Sequence, residues 1–168
     1  MPSLGAVIRA AALAGAVMLF GADRAAASCI GLGCSCSTTA TAVAFGSYYP
    51  LTGSSVNASG VIEVTCGALV LGAVIAYDIR LSSGSSGSYV SRTMVQGGHQ
   101  LHYNLYTNSA HTQVWGDGSG GTGIVSDGYL LQLIYSTTRA YTVYGLIPGG
   151  QNVRFGNYTD SILVTVVY

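Results

Sequence analysis

The sequence is poor in charge: acidic and basic residues make up 7% of it, against roughly a quarter in ordinary soluble domains. All 6 basic residues are arginine and 6 acids balance them, so no basic stripe is offered to nucleic acid or anionic lipid. Glu63 is the one glutamate, Trp115 the one tryptophan, and there are 3 prolines. A long apolar run is missing too. Beyond the N-terminus, short apolar stretches are broken by Gly, Ser, Thr and Asn, and none approaches the ~20 residues of a membrane-spanning helix. Apolar residues at helical spacing are absent as well. A surface with so little charge lacks the self-repulsion that keeps proteins apart in solution. That suits a protein living in an assembly.

What is present points to β-structure. Hydrophobic residues reach 49%, with 24 glycines and 12 tyrosines, a composition of strands joined by flexible turns. A chain of 168 residues has room for one domain with a core of its own. Residues 1–27 read as a secretory signal. Arg9 is the positive n-region, Ala10 to Phe20 the apolar stretch, and Ala25-Ala26-Ala27 offers small residues for cleavage before Ser28. The expected arrangement is an export signal over 1–27 followed by a single β-domain over 28–168. No spanning segment is expected in the mature chain.

Cys29, Cys34, Cys36 and Cys66 follow the expected cleavage site. An even count in an exported chain indicates disulfides, with three pairings open. The Cys-x4-Cys-x-Cys cluster has no histidine at ligand spacing, which argues against zinc. Cys36 lies nearest the first strand pattern and Cys66 ends the second, so Cys36–Cys66 with Cys29–Cys34 is the favoured pairing. Cys34–Cys66 is its rival.

Strands are read from alternation. Thr39 to Phe45 alternates small polar and apolar residues. Val56 to Cys66 places Val56, Ala58, Gly60, Ile62, Val64 and Cys66 on one face. Leu69 to Leu81 puts Ile75, Tyr77, Ile79 and Leu81 together. Tyr89 to Val95, Leu101 to Tyr106, Leu130 to Tyr135 and Tyr141 to Ile147 follow, with a glycine-rich loop expected over Gly116–Gly128. The last pattern runs from Ile162 to Tyr168, where Ile162, Val164, Val166 and Tyr168 make the most regular apolar face of the chain. Short strands separated by turns imply an antiparallel sandwich. An apolar last strand with no later segment beside it is either an ordinary C-terminal edge strand or an open edge able to take a strand from another chain.

Candidate chemistry is sparse. Asp78, Asp117, Asp127 and Asp160 are far apart, and no Gly-x-Ser-x-Gly elbow occurs. His99, His102 and His111 could reach a metal with Asp117 only if the fold gathers them; surface histidines are the expectation. No catalytic residue, metal or cofactor is assigned. The sequons at Asn57 and Asn157 are treated as incidental. Trp115-Gly116-Asp117-Gly118 reads as a tight turn with the indole in the core. The alternative is a sugar-stacking platform in which Trp115, Tyr103 and Tyr106 face a ligand beside the glycine-rich loop. A secreted hydrolase is the weakest reading.

Cys36 to Tyr49 (CSTTATAVAFGSYY), Gly60 to Cys66 (GVIEVTC), Leu81-Ser82-Ser83-Gly84, Arg92-Thr93-Met94 and Leu101 to Tyr106 come in a recognisable order. They continue with Val114 to Gly118, Val143 to Pro148 and Gly156 to Asp160. Together they resemble the spore coat protein U domain and archaic chaperone–usher pilin family. The resemblance spans residues 36–168 and implies an all-β, incomplete immunoglobulin-like antiparallel sandwich lacking its last strand. It implies a structural, non-enzymatic subunit of a surface pilus or coat. Such a subunit is held by a periplasmic chaperone, delivered to an outer-membrane usher, and joined to other subunits by strand addition. An adhesive or carbohydrate-binding tip module of the same fold is the alternative. One departure stands out. Ser28 to Ser35 is short, contains Gly31 and Gly33, and carries two cysteines. That makes a poor donor strand, and fits either a terminal subunit or a protein that does not polymerise in this way.

Overall fold

In a computed structural model, residues 28–69, 72–131 and 136–168 are described. The signal expected over 1–27 and the end of the strand expected over Leu130 to Tyr135 lie outside them. Nine strands form: β1 (Ser28–Ile30), β2 (Ser35–Ala40), β3 (Val56–Gly67), β4 (Ala73–Leu81), β5 (Arg92–Gln96), β6 (His99–Tyr106), β7 (Val125–Leu131), β8 (Thr137–Ile147) and β9 (Val164–Val167). Two short 3-10 turns, Pro50–Thr52 and Gly84–Ser86, complete the elements.

One sheet runs β2-β3-β8-β6-β5. The other is built on β4, which has β7 on one side and both β1 and β9 on the other. Every strand pair is antiparallel. Alternation decides the layering. Ile62, Val64 and Cys66 of β3 and Ile75, Tyr77, Ile79 and Leu81 of β4 are buried between the sheets, while their neighbours Glu63 and Val74 face out. The period-two reading of both strands is borne out. The fold is an open, incomplete antiparallel sandwich of immunoglobulin-like character.

Several boundaries differ from expectation. The first strand was expected over Thr39 to Phe45, but the ladder with β3 covers Ser35–Ala40. Residues beyond Thr41 bend off the sheet edge instead. The loop expected over Gly116–Gly128 ends early, because Val125 to Gly128 already pair with Ile79 to Ala76. Gly128 suits that ladder, since a Cβ there would stand 3.0 Å from the Ile75 carbonyl oxygen. The strand expected from Tyr89 begins at Arg92, and the last begins at Val164 rather than Ile162.

The cysteines form Cys29–Cys34 and Cys36–Cys66 bridges. The second joins β2 to β3 at a register pair. The first closes the turn between β1 and β2.

Two polar clusters fix the sheets. Arg92 is fully buried and forms no ion pair among the described residues. Its guanidinium donates to the Ser82 carbonyl oxygen (3.1 and 2.8 Å), to Trp115 O (2.7 Å) and to Asn104 Oδ1 (2.6 Å), and lies over the Tyr89 ring. Burial pulls its pKa below the usual arginine value. On the inner face of β7, Asp127 accepts hydrogen bonds from Arg139 (2.6 and 2.7 Å) and from Tyr141, which is bonded to Tyr77. Arg139 also stacks on Tyr129 at 4.5 Å.

Burial pushes the Asp127 carboxyl up, but hydrogen bonds from Tyr141 and Arg139 win and leave it below the usual carboxylate value. A depressed folded pKa gives stability that is present above the unfolded value of about 3.9 and lost as pH falls through the folded one. The melting temperature should therefore drop on acidification below about pH 4, and less steeply in Asp127→Asn, which has no carboxyl to protonate. Parallel pH profiles for the two proteins would show that Asp127 contributes nothing to acid sensitivity.

Candidate functional site

The sandwich is open along one side. In register with buried Val64 and Ile62, Thr38 and Ala40 of β2 belong to the inner face, yet both are exposed. No strand of the opposite sheet covers them among the described residues. Past Thr41, whose amide still bonds the Val61 carbonyl oxygen at 2.8 Å, the chain crosses onto the inner face over Gly60 and Gly145. A Cβ on Gly145 would lie 2.6 Å from Phe45 and 2.7 Å from Val43, so glycine is what admits these side chains. Phe45 meets Tyr103 edge-on at 5.7 Å.

Opposite this segment runs β9. Val164 pairs with Leu81 and Val166 with Ile79, so both point inward. Both are only half-buried, and β9 has no neighbour on its outer side among the described residues. Between the two rims lies a groove of about 470 Å³. Its floor includes Ile62, Leu105 and Val143, and Ile162 and Val164 line one wall. That wall is pinned by Asp160, which accepts hydrogen bonds from Tyr103 Oη (2.7 Å), Ser85 N (2.9 Å) and Ser161 N (2.8 Å). Burial, then the bond to Asp160, push the Tyr103 phenol well above the usual tyrosine value.

Of the rim residues named from sequence, Ile162 and Val164 line the groove. Val166 continues the same inward row, while Tyr168 is 45% exposed beyond the end of β9. Sequence reasoning missed Ala40 to Phe45 as the facing rim. Their alternation was visible, but its partner was not.

The proposed ligand platform is corrected by burial. Trp115 has no exposed surface, and its Nε1 donates to Ile79 O at 3.0 Å. Tyr103 is 4% exposed and sits at the groove base. Tyr106 is half-buried against His111. The three share no surface on which a sugar could stack. His99 and His102 are exposed, and His102 Nδ1 bonds Ser91 Oγ at 2.9 Å. Among the described residues no group of three or more His, Cys, Asp or Glu is placed to hold a metal, and no helix is long and apolar enough to cross a membrane.

The fold and groove define an incomplete antiparallel sandwich with one open side. The Spore Coat Protein U domain matches residues 25–165, and the chain belongs to that family. Protein U of Myxococcus xanthus is 31% identical over 133 residues, covering 74% of this chain and 70% of that one. Among solved structures, one similar chain belongs to the CsuC–CsuE chaperone–tip adhesion subunit pre-assembly complex from the archaic chaperone–usher Csu pili of Acinetobacter baumannii. Identity there is 17% and the TM-score 0.48, over 80% of this chain; the chain spans 40% of that one.

Proposed function

We propose that this protein is a non-enzymatic structural subunit of a bacterial surface pilus or coat, and that it works by accepting a strand from another polypeptide. The observation that carries this reading is the groove between two rims that no strand joins among the described residues, the outer side of β9 on one side and residues 42–45 on the other. An extended segment laid between them gains backbone hydrogen bonds for affinity and apolar pockets for specificity. Before assembly the occupant would be a strand of a periplasmic chaperone; at the outer-membrane usher it would give way to the strand of a neighbouring subunit. The destination is the cell surface.

The same geometry bears on fibre position. Ser28–Ile30 pairs with the subunit's own β4, and Cys29–Cys34 closes the turn behind it. Residues 28–35 are thus committed within the subunit and are poor donors, which suits a terminal place. The test is periplasmic expression with and without a chaperone of this class. The reading expects soluble protein mainly as a one-to-one complex, with aggregation or degradation when the chaperone is absent. Equal yields of stable monomer in both cases would contradict it.

A further inference from the structure

The accepting edge does not stop at β9. Val164–Val167 pairs with Leu81 to Asp78, and Ser28–Ile30 pairs with Ala76 to Val74. β7 occupies the other side of β4 from Ala73 to Ile79, so β1 and β9 must share one side. Both run antiparallel to β4, and Tyr77 alone falls between their ladders. They therefore lie end to end in the same direction, as one edge strand assembled from the two ends of the described chain. Among the described residues nothing pairs beyond either piece.

We infer that β9 and β1 form a single composite acceptor edge, and that the incoming partner strand is read along both. This rests on the strand-accepting reading and extends it. A four-residue β9 offers few backbone groups. With β1 added, the edge follows the nine-residue β4 from Val74 to Leu81, interrupted only at Tyr77, which is at least the length of an ordinary strand. The partner it fits is an extended segment of about nine residues, with apolar side chains at alternate positions where it passes the groove.

A second observation places a partner at the β1 end. Ile30, Val74 and Leu130 stand side by side across β1, β4 and β7 on the outer face, exposed at 68%, 43% and 54%. Leu69, whose amide bonds the Leu32 carbonyl oxygen, and Leu32 itself are exposed beside them. A contiguous apolar stripe of this kind marks a contact surface, and it is continuous with the β1 edge. A subunit whose strand runs along β1 brings its body over these side chains.

The experiment uses the purified protein and two synthetic alternating Val-Thr peptides, one of about five residues to match β9 and one of about nine to match β9 and β1. Affinity is measured by calorimetry and site protection by amide hydrogen exchange. The composite edge predicts that the longer peptide protects Ser28–Ile30 as well as Val164–Val167. It should also bind about tenfold or more tightly than the shorter one, as two or three added hydrogen bonds would give. Binding that protects β9 but leaves β1 exchange unchanged, with equal affinities, would overturn the composite edge and leave the groove reading standing. Failure of both peptides to bind would overturn both.

Discussion

Trp115→Ala is expected to destabilise the protein by about 3–5 kcal/mol, the range for deleting a buried aromatic side chain. The indole is fully enclosed, and the residue, through side chain and backbone together, links three parts of the molecule. Its Nε1 donates to Ile79 O in β4, its backbone amide bonds Leu105 O in β6 at 2.9 Å, and its carbonyl oxygen accepts from buried Arg92. Truncation leaves a cavity between the sheets and an Ile79 carbonyl without its donor. Trp115→Phe should keep most of the packing and lose mainly the hydrogen bond, so its loss should be clearly smaller. Denaturant midpoints of the three proteins decide this. An alanine variant as stable as the parent would remove Trp115 from the core account and reopen a surface role.

Removing the Cys36–Cys66 bridge should have the next largest effect. Its half-cystines are 30 residues apart, and closing a loop of that size restricts the unfolded chain enough to stabilise the fold by about 3–4 kcal/mol. The Cys29–Cys34 bridge closes a separation of 5 and should contribute less, about 2 kcal/mol on the same entropy argument. The paired variants Cys36→Ser/Cys66→Ser and Cys29→Ser/Cys34→Ser compare the two directly in equilibrium unfolding. Non-reducing peptide mapping that joined Cys34 to Cys66 would instead favour the rival pairing considered from sequence.

How far the sequence could be read depended on whether a pattern and its partner both lie in the chain. β3 and β4 were legible because they alternate over many residues and each is paired by neighbouring strands of the same chain. Residues 41–45 carry an equally real alternation, with Val43 and Phe45 turned to the core and Ala42 and Ala44 exposed. They form no ladder because past Thr41 the chain leaves the β3 edge and crosses over Gly60 and Gly145. A strand pattern without a ladder is what the proposed acceptor rim would produce. β1 went unread for the opposite reason: three residues beside a glycine and cysteine turn show too little period to detect. Arg92 was noticed only as part of a motif. That it would be buried on carbonyl oxygens and an amide, without an ion pair, depends on the meeting of loops distant in sequence, which alternation cannot report.

The groove itself is the centre of the account, and a thermal melt with a donor tests it most directly. A ligand that binds only the folded form raises the melting temperature, by an amount that grows with the logarithm of its concentration over its dissociation constant. An alternating Val-Thr peptide in excess should raise the melting temperature of the isolated protein and reduce its self-association. A peptide of the same length and composition with the alternation scrambled should do much less. A stable, soluble monomer whose melting temperature neither peptide moves would contradict the strand-accepting groove.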